Sequence, residues 1–260
     1  MEHHPELKNR DVLVTGGSHG IGAAIVRAFH EQGARVCFCD IDEKAGRALT
    51  RKLGEGAFFT KVDLKKEDDI RHWIDGIGAH DNSIRALVNN PAADPRIPLE
   101  TMSAKSWDML FALNLRAYFL ACREAVKWMA EGSAIVNLAS LAFHIAPAHM
   151  SAYVASKGGV LGFTRSLARE LGPRRIRVNA LSPGWVMAEH EIREHPSTAL
   201  KRQIKHSQCI PDLITPEEIA DVALFLASDE SSAVTGAAIV ADGGLTAGLG
   251  VTGFPPFGST

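Results

Sequence analysis

Apolar positions along this chain alternate between two spacings. Asp11-Val12-Leu13-Val14-Thr15 is a short apolar run stopped by Gly16-Gly17, the pattern of a strand buried on both faces. Ile21, Ala24, Ile25, Ala28 and Phe29 then recur at helical spacing until Gly33. Residues 34–40 predict a second strand. The pattern repeats with a helix near 42–53, a strand near 57–62, a helix near 67–79 and a strand near 85–89. A long helix is predicted over about 106–130, with Trp107, Leu110, Phe111, Leu115, Phe119 and Ala125 toward the core. A strand over 133–140, a helix over 151–172 ended by Gly172-Pro173, and a strand over 176–181 follow. Residues 185–212 are rich in His, Glu and Lys and weakly periodic, which predicts an excursion outside the core. Thr215-Pro216-Glu217-Glu218 reads as a capped helix start, running to about Ala227, and 237–240 as the last strand.

Seven strands alternating with helices predict an α/β fold: one Rossmann-type, doubly wound parallel sheet with helices on both faces. No linker or second core intervenes, so the chain is expected to be one domain over 1–260, with its core at about 8–246. The Gly/Pro-rich tail 247–260 lies beyond that core. Ligands of such sheets bind at the carboxyl ends of the strands, where strand order reverses.

Composition narrows the class. The 260 residues carry 28 Lys+Arg and 30 Asp+Glu, a formal net charge of −2. Scattered Lys and Arg and a near-zero net charge give no footprint for nucleic acid. No apolar stretch is long enough for a membrane helix, and MEHHPELKNR has no apolar core of the kind a signal peptide requires. Cys37, Cys39, Cys122 and Cys209 form no CxxC pair, so they are expected to be reduced thiols of a cytoplasmic protein.

The first turn carries the first chemistry. Gly16, Gly20 and Gly22 are spaced G-x-x-x-G-x-G between strand and helix. Small residues there let the backbone approach a pyrophosphate on the positive end of a helix. Asp40 ends the second strand, where a carboxylate can bond both adenosine-ribose hydroxyls and repel a 2′-phosphate. No Arg stands in the turn or directly after Asp40, so NAD is expected over NADP. Asp40 could instead cap the next helix, but Asp42 is an equally good cap.

Tyr153 and Lys157 are four residues apart on a predicted helix, one turn apart on one face. An ammonium beside a phenol favours phenolate, and such a tyrosine can exchange protons with an alcohol. Ser140, at the end of the preceding strand, can bond the same substrate oxygen.

Thr15-Gly16-x-x-x-Gly20-Ile21-Gly22, Asp40, Asp63-Leu64, Asn89-Asn90, Asn114, Ser140, Tyr153-x-x-x-Lys157, Asn179-x-x-x-Pro183-Gly184 and Asp242-Gly243-Gly244 occur in that order. Together they resemble the short-chain dehydrogenase/reductases over about 8–246. The resemblance implies that Tyr153 is the general acid/base and that Ser140 orients the substrate oxygen. Lys157 would bond the nicotinamide ribose, and Asn114 would hold a water linking Lys157 to solvent. It implies a cofactor lining of Gly16, Ser18, His19, Gly20, Ile21, Gly22, Asp40, Ile41, Asp63, Leu64, Asn89, Asn90, Pro91 and Ala92, with Pro183, Gly184 and Val186 against the nicotinamide. Family members are commonly homotetramers, built through helices corresponding to 106–130 and 151–172 and through the last strand. Two departures stand out. Pro91-Ala92 replace the usual Ala-Gly, which predicts a shifted strand end with binding kept. Met187-Ala188 stand where a Thr often anchors the carboxamide, which leaves that task to backbone.

Substrate contacts in this fold come from loops after the fourth to sixth strands. Asp94, Arg96, His144 and His149 could bond several hydroxyls, under a lid at about 185–212 that begins with Trp185. His144, Gln208-Cys209-Ile210, Pro216-Glu217 and Phe225-Leu226-Ala227-Ser228-Asp229 are similar to bacterial aldose 1-dehydrogenases of the family. The expected activity is therefore NAD-dependent oxidation of a sugar, polyol or other secondary alcohol, an aldose giving a lactone. The alternatives are an NADPH-dependent carbonyl or 3-oxoacyl reductase, and a non-catalytic nucleotide-binding protein on the same fold. No metal is expected: His190 and His195 bracket an H-E-x-x-x-H run, but residues five apart stand about 140° apart around a helix.

Overall fold

The computed structural model describes residues 4–81, 84–187 and 198–248. The strands are β1 (Asp11–Thr15), β2 (Arg35–Asp40), β3 (Ala57–Lys61), β4 (Ile84–Asn89), β5 (Ala134–Leu138), β6 (Arg177–Pro183) and β7 (Ala238–Ala241). They form one parallel sheet in the order β3-β2-β1-β4-β5-β6-β7. Order reverses between β1 and β4, so the chain leaves these two neighbours in opposite directions and opens a crevice at their carboxyl ends.

The helices between them are α1 (Gly20–Glu31), α2 (Glu43–Leu53), α3 (Glu67–Asp81), α4 (Ala104–Phe111), α5 (Ala117–Ala125), α6 (Ala142–Ile145), α7 (Ser151–Leu171), α8 (Thr198–Ser207) and α9 (Pro216–Ala227). Strand side chains alternate between two cores, because successive residues of a strand point to opposite faces. Val12, Val14, Val36 and Phe38 pack with α1 and α9 on one face. Leu13, Cys37, Cys39 and Leu87 pack with α3, α5 and the end of α7 on the other. Both faces of the sheet are thus covered, as the continuous apolar runs predict. At the start of α9 the predicted capping box is present: Thr215 N donates to Glu218 Oε2 at 2.7 Å, and Glu218 N donates to Thr215 Oγ1 at 3.3 Å.

The long helix expected over 106–130 differs from its prediction. It begins at Ala104, passes through a π turn at Ala112–Arg116, and ends at Ala125. The π turn adds a residue and rotates everything after it by roughly 100° relative to an unbroken helix. The predicted core stripe therefore slips at Phe119. Tyr118 is buried and Phe119 is 43% exposed; Leu110 and Ala125 are buried as predicted, and Trp107, which precedes the π turn, is 36% exposed. Part of the predicted excursion is also docked: α8 buries Ile204, and Val186 pairs with Ile214 as an isolated bridge. Residues 188–197, with His190 and His195, and residues 249–260 of the tail lie outside the described residues.

Candidate active site

The β1–α1 turn owes its shape to its glycines. Gly16 and Gly20 have positive φ, +67° and +49°. A Cβ on Gly22 would stand 2.0 Å from the Gly16 carbonyl oxygen, and one on Gly16 would stand 3.1 Å from Pro91. Asn90 closes the turn from β4, donating from Nδ2 to the Gly16 carbonyl at 2.8 Å. The Asp40 carboxylate accepts from Ser18 N at 3.2 Å and from Asp42 N at 3.1 Å. Asp42, not Asp40, caps α2 through Ala45 N. Asp40 is thus held at the turn with its carboxylate on the cavity wall.

That cavity measures about 930 Å³ and runs along the carboxyl ends of the strands. One end is bounded by Gly16, His19, Gly20, Ile21, Asp40 and Ile41, with Asp63 and Leu64 beside them. Asn90, Pro91 and Ala92 form the middle, and Pro183, Gly184 and Val186 the facing wall. The other end holds Ser140, Tyr153 and Lys157, then Asp94, Arg96 and Trp185. Four predicted cofactor or catalytic residues act from behind the wall. Gly22 makes room for the turn, and Ser18 is buried with its Oγ unbonded. Asn89 is buried between strands, where its Nδ2 donates to Asn137 Oδ1 at 2.9 Å. Asn114 Oδ1 accepts from Ala93 N, and its Nδ2 donates to the Ala93 carbonyl, both at 2.9 Å. Its side chain thereby fixes the segment that carries Asp94.

His144 and His149 are not among the lining residues. His144 is exposed, edge-on to Phe143. His149 has φ +63°, and its carbonyl accepts from Ile97 N at 2.7 Å, so its backbone rather than its ring supports the substrate end. At the replaced carboxamide anchor, Met187 N donates to the Ile214 carbonyl at 2.9 Å and is already committed. Lining residues the sequence reasoning did not single out include Leu113, Ala139, Ile145, Pro147 and Met150. They give the substrate end an apolar floor. Lys65 joins the Asp40 end. Their places in the fold, not any residue pattern, bring these together.

Lys157 Nζ lies 5.9 Å from the centre of the Tyr153 ring. Lys157 is almost fully buried, and burial pulls its pKa down to about 7; the Asp94 carboxylate acts the other way. Ser140 Oγ accepts from Ala142 N at 3.0 Å, which leaves its hydroxyl proton to donate to a substrate oxygen. A nicotinamide dinucleotide fits these residues. Glycines leave space where a Cβ would clash, and Asp40 offers a carboxylate at the far end.

A family model described as enoyl-(acyl carrier protein) reductase matches residues 16–246. The chain is 40% identical over 247 residues to a probable galactose dehydrogenase of Rhizobium meliloti (strain 1021), covering 93% of this chain and 96% of that one. It is 36% identical to a 3-oxoacyl-[acyl-carrier-protein] reductase of Chlamydia pneumoniae, covering 92% and 98%. Among solved structures, a short-chain dehydrogenase/reductase of Brucella melitensis described as a glucose/ribitol dehydrogenase matches with a TM-score of 0.86 and 31% identity, over 94% of this chain and 99% of that one. With the ordered motifs, the strand order and the Ser140–Tyr153–Lys157 cluster, this places the chain in the short-chain dehydrogenase/reductase family.

Proposed function

We propose that the protein is an NAD-dependent dehydrogenase of a sugar or polyol, most simply an aldose 1-dehydrogenase giving a lactone. One observation carries the reading: a single cavity joins the Asp40 carboxylate to Tyr153, and ends among Asp94, Arg96 and Trp185. Asp40 favours two ribose hydroxyls over a 2′-phosphate by charge. Asp94 and Arg96 offer hydrogen bonds of both kinds to a polyhydroxy substrate. The galactose and glucose/ribitol dehydrogenase names of the relatives point the same way. His144 and His149 contribute only if the substrate or the lid reaches past the present wall.

The oxidised nicotinamide, when bound, is the hydride acceptor. Ser140 donates its hydroxyl proton to the substrate oxygen and fixes its place. Tyr153, as phenolate, takes the substrate hydroxyl proton. Lys157, as ammonium behind it, lowers the cost of that negative charge and bonds the nicotinamide ribose. Asn114 serves by holding the Ala93 segment, and it is also the residue to which the family resemblance gives the water linking Lys157 to solvent.

We further infer a cytoplasmic homotetramer. The described cysteines are free thiols, and no helix among the described residues is long and apolar enough to cross a membrane. Trp107, Met109 and Phe119 expose apolar surface on α4 and α5, and β7 is a half-exposed edge strand. Light scattering on the purified protein reads the assembly directly.

The deciding experiment offers NAD and then NADP with aldoses, polyols, simple secondary alcohols and hydroxyacyl thioesters, and follows reduced-cofactor absorbance. NAD-linked turnover of an aldose is the expected result. Turnover confined to hydroxyacyl thioesters with NADP would replace this reading by the oxoacyl reductase one.

A further inference from the structure

The chain has two tyrosines, Tyr153 and Tyr118, and both face Lys157. Tyr118 is fully buried on α5. Lys157 Nζ donates to its hydroxyl oxygen at 3.1 Å and to the Leu138 carbonyl at 2.7 Å. The Tyr118 hydroxyl has the carbonyls of Pro91 and Leu138 each at 3.1 Å for its own single proton. An ammonium has three donors. With two directed at Tyr118 and Leu138, the third is left for the cavity that Lys157 lines.

A phenylalanine would fill the same space. A hydroxyl in a fully buried place is costly unless bonded, and every partner of this one belongs to the site wall. Burial pushes Tyr118 well above the ordinary phenol range, so it stays a neutral phenol and an acceptor for the ammonium. Pro91, which it also bonds, packs against Gly16 of the cofactor turn.

Resting on the Tyr153–Lys157 reading above, we propose that Tyr118 is a positioning residue for this reaction. Its phenol oxygen is the fixed acceptor that holds the Lys157 ammonium behind Tyr153 and aims the remaining donor into the cavity. It thereby sets the pH range in which Tyr153 works. The described titratable groups facing Lys157 are Tyr118 from α5, Tyr153 from α7 and Asp94 from the segment after β4; Cys122 faces Tyr118 in turn. Removing the Tyr118 acceptor disfavours the ammonium, which weakens its hold on the Tyr153 phenolate.

The test is Tyr118→Phe, with kcat/KM for alcohol oxidation followed against pH. The acid limb should move up by about one pH unit, the size that one lost hydrogen bond to a charge supplies. At neutral pH kcat should fall roughly tenfold while KM for NAD changes less, since no hydrogen bond of Tyr118 reaches the glycine turn or Asp40 directly. A variant with the wild-type profile and rate would overturn the proposal. Should Tyr118→Phe fold poorly, 3-fluorotyrosine placed at 118 keeps the packing, and its fluorine resonance should titrate with the acid limb. A flat resonance would equally overturn it. Tyr153→Phe run in parallel separates the two ideas. If Tyr153→Phe stays active, the acid/base reading fails and this proposal falls with it. If Tyr153→Phe is dead and both Tyr118 probes behave as wild type, this proposal alone fails.

Discussion

At the scale of single residues, the site works by forcing groups into company they would avoid in water. Lys157 is buried with two oxygen acceptors, and its Nζ lies 5.9 Å from the centre of the Tyr153 ring. Tyr153→Phe should lower turnover by about 10²- to 10⁴-fold, the usual worth of a placed acid/base, with NAD affinity unchanged by calorimetry. Full activity in that variant would refute the assignment. Gly22→Ala tests the other end. Its new Cβ would meet the Gly16 carbonyl at 2.0 Å, so the turn must open and NAD affinity should fall about tenfold or more. Unchanged affinity would mean that the turn does not cradle the dinucleotide. Residues with chemistry at a fixed spacing, such as Asp40, Ser140, Tyr153 and Lys157, were legible in the sequence, and the cavity gathers all four. Tyr118 was not. A tyrosine at helical spacing reads as core, and the π turn hid which face it occupied.

At the scale of elements, strands were easier to read than helix interiors. Both faces of each central strand are buried, so apolar runs marked them with little ambiguity. The long helix departs from its predicted stripe at Phe119 because its hydrophobic period is broken once, at Ala112–Arg116; Leu110 before the break and Ala125 after it stay buried. That irregularity has a use. It sits where Asn114 points its amide at Ala93, and the paired bonds at 2.9 Å fix the segment carrying Asp94 and Arg96. Asn114→Ala would leave a backbone donor and acceptor unpaired there. The substrate end should loosen, raising KM for the alcohol about tenfold with a smaller change in KM for NAD. Steady-state kinetics with both substrates varied would check this. An unchanged KM for the alcohol would show that the segment holds its shape without Asn114.

Across the whole molecule, the same burial that prepares the site couples stability to pH, and the signs oppose each other. Lys157 keeps its proton to an ordinary value of 10.5 when unfolded but releases it near 7 when folded. Between those values the unfolded chain binds more protons, so stability rises with pH. Cys37 and Cys122 are pushed up by burial from 9.0 to about 12, and Cys39 well above 9.0. Their contribution is fully present below 9.0 and is lost as pH climbs toward 12, because the unfolded thiols ionise first. The cofactor-free protein should therefore gain stability from pH 7 to 9, by on the order of 2 kcal/mol or a few degrees in Tm, and lose it above. Calorimetric melts across pH 6 to 11 read the curve. Lys157→Met, of similar length and without the charge, should flatten the rise and leave the fall in place. If the rise persists in Lys157→Met, a different group sets it, and the ammonium at the heart of the site is not the strained one.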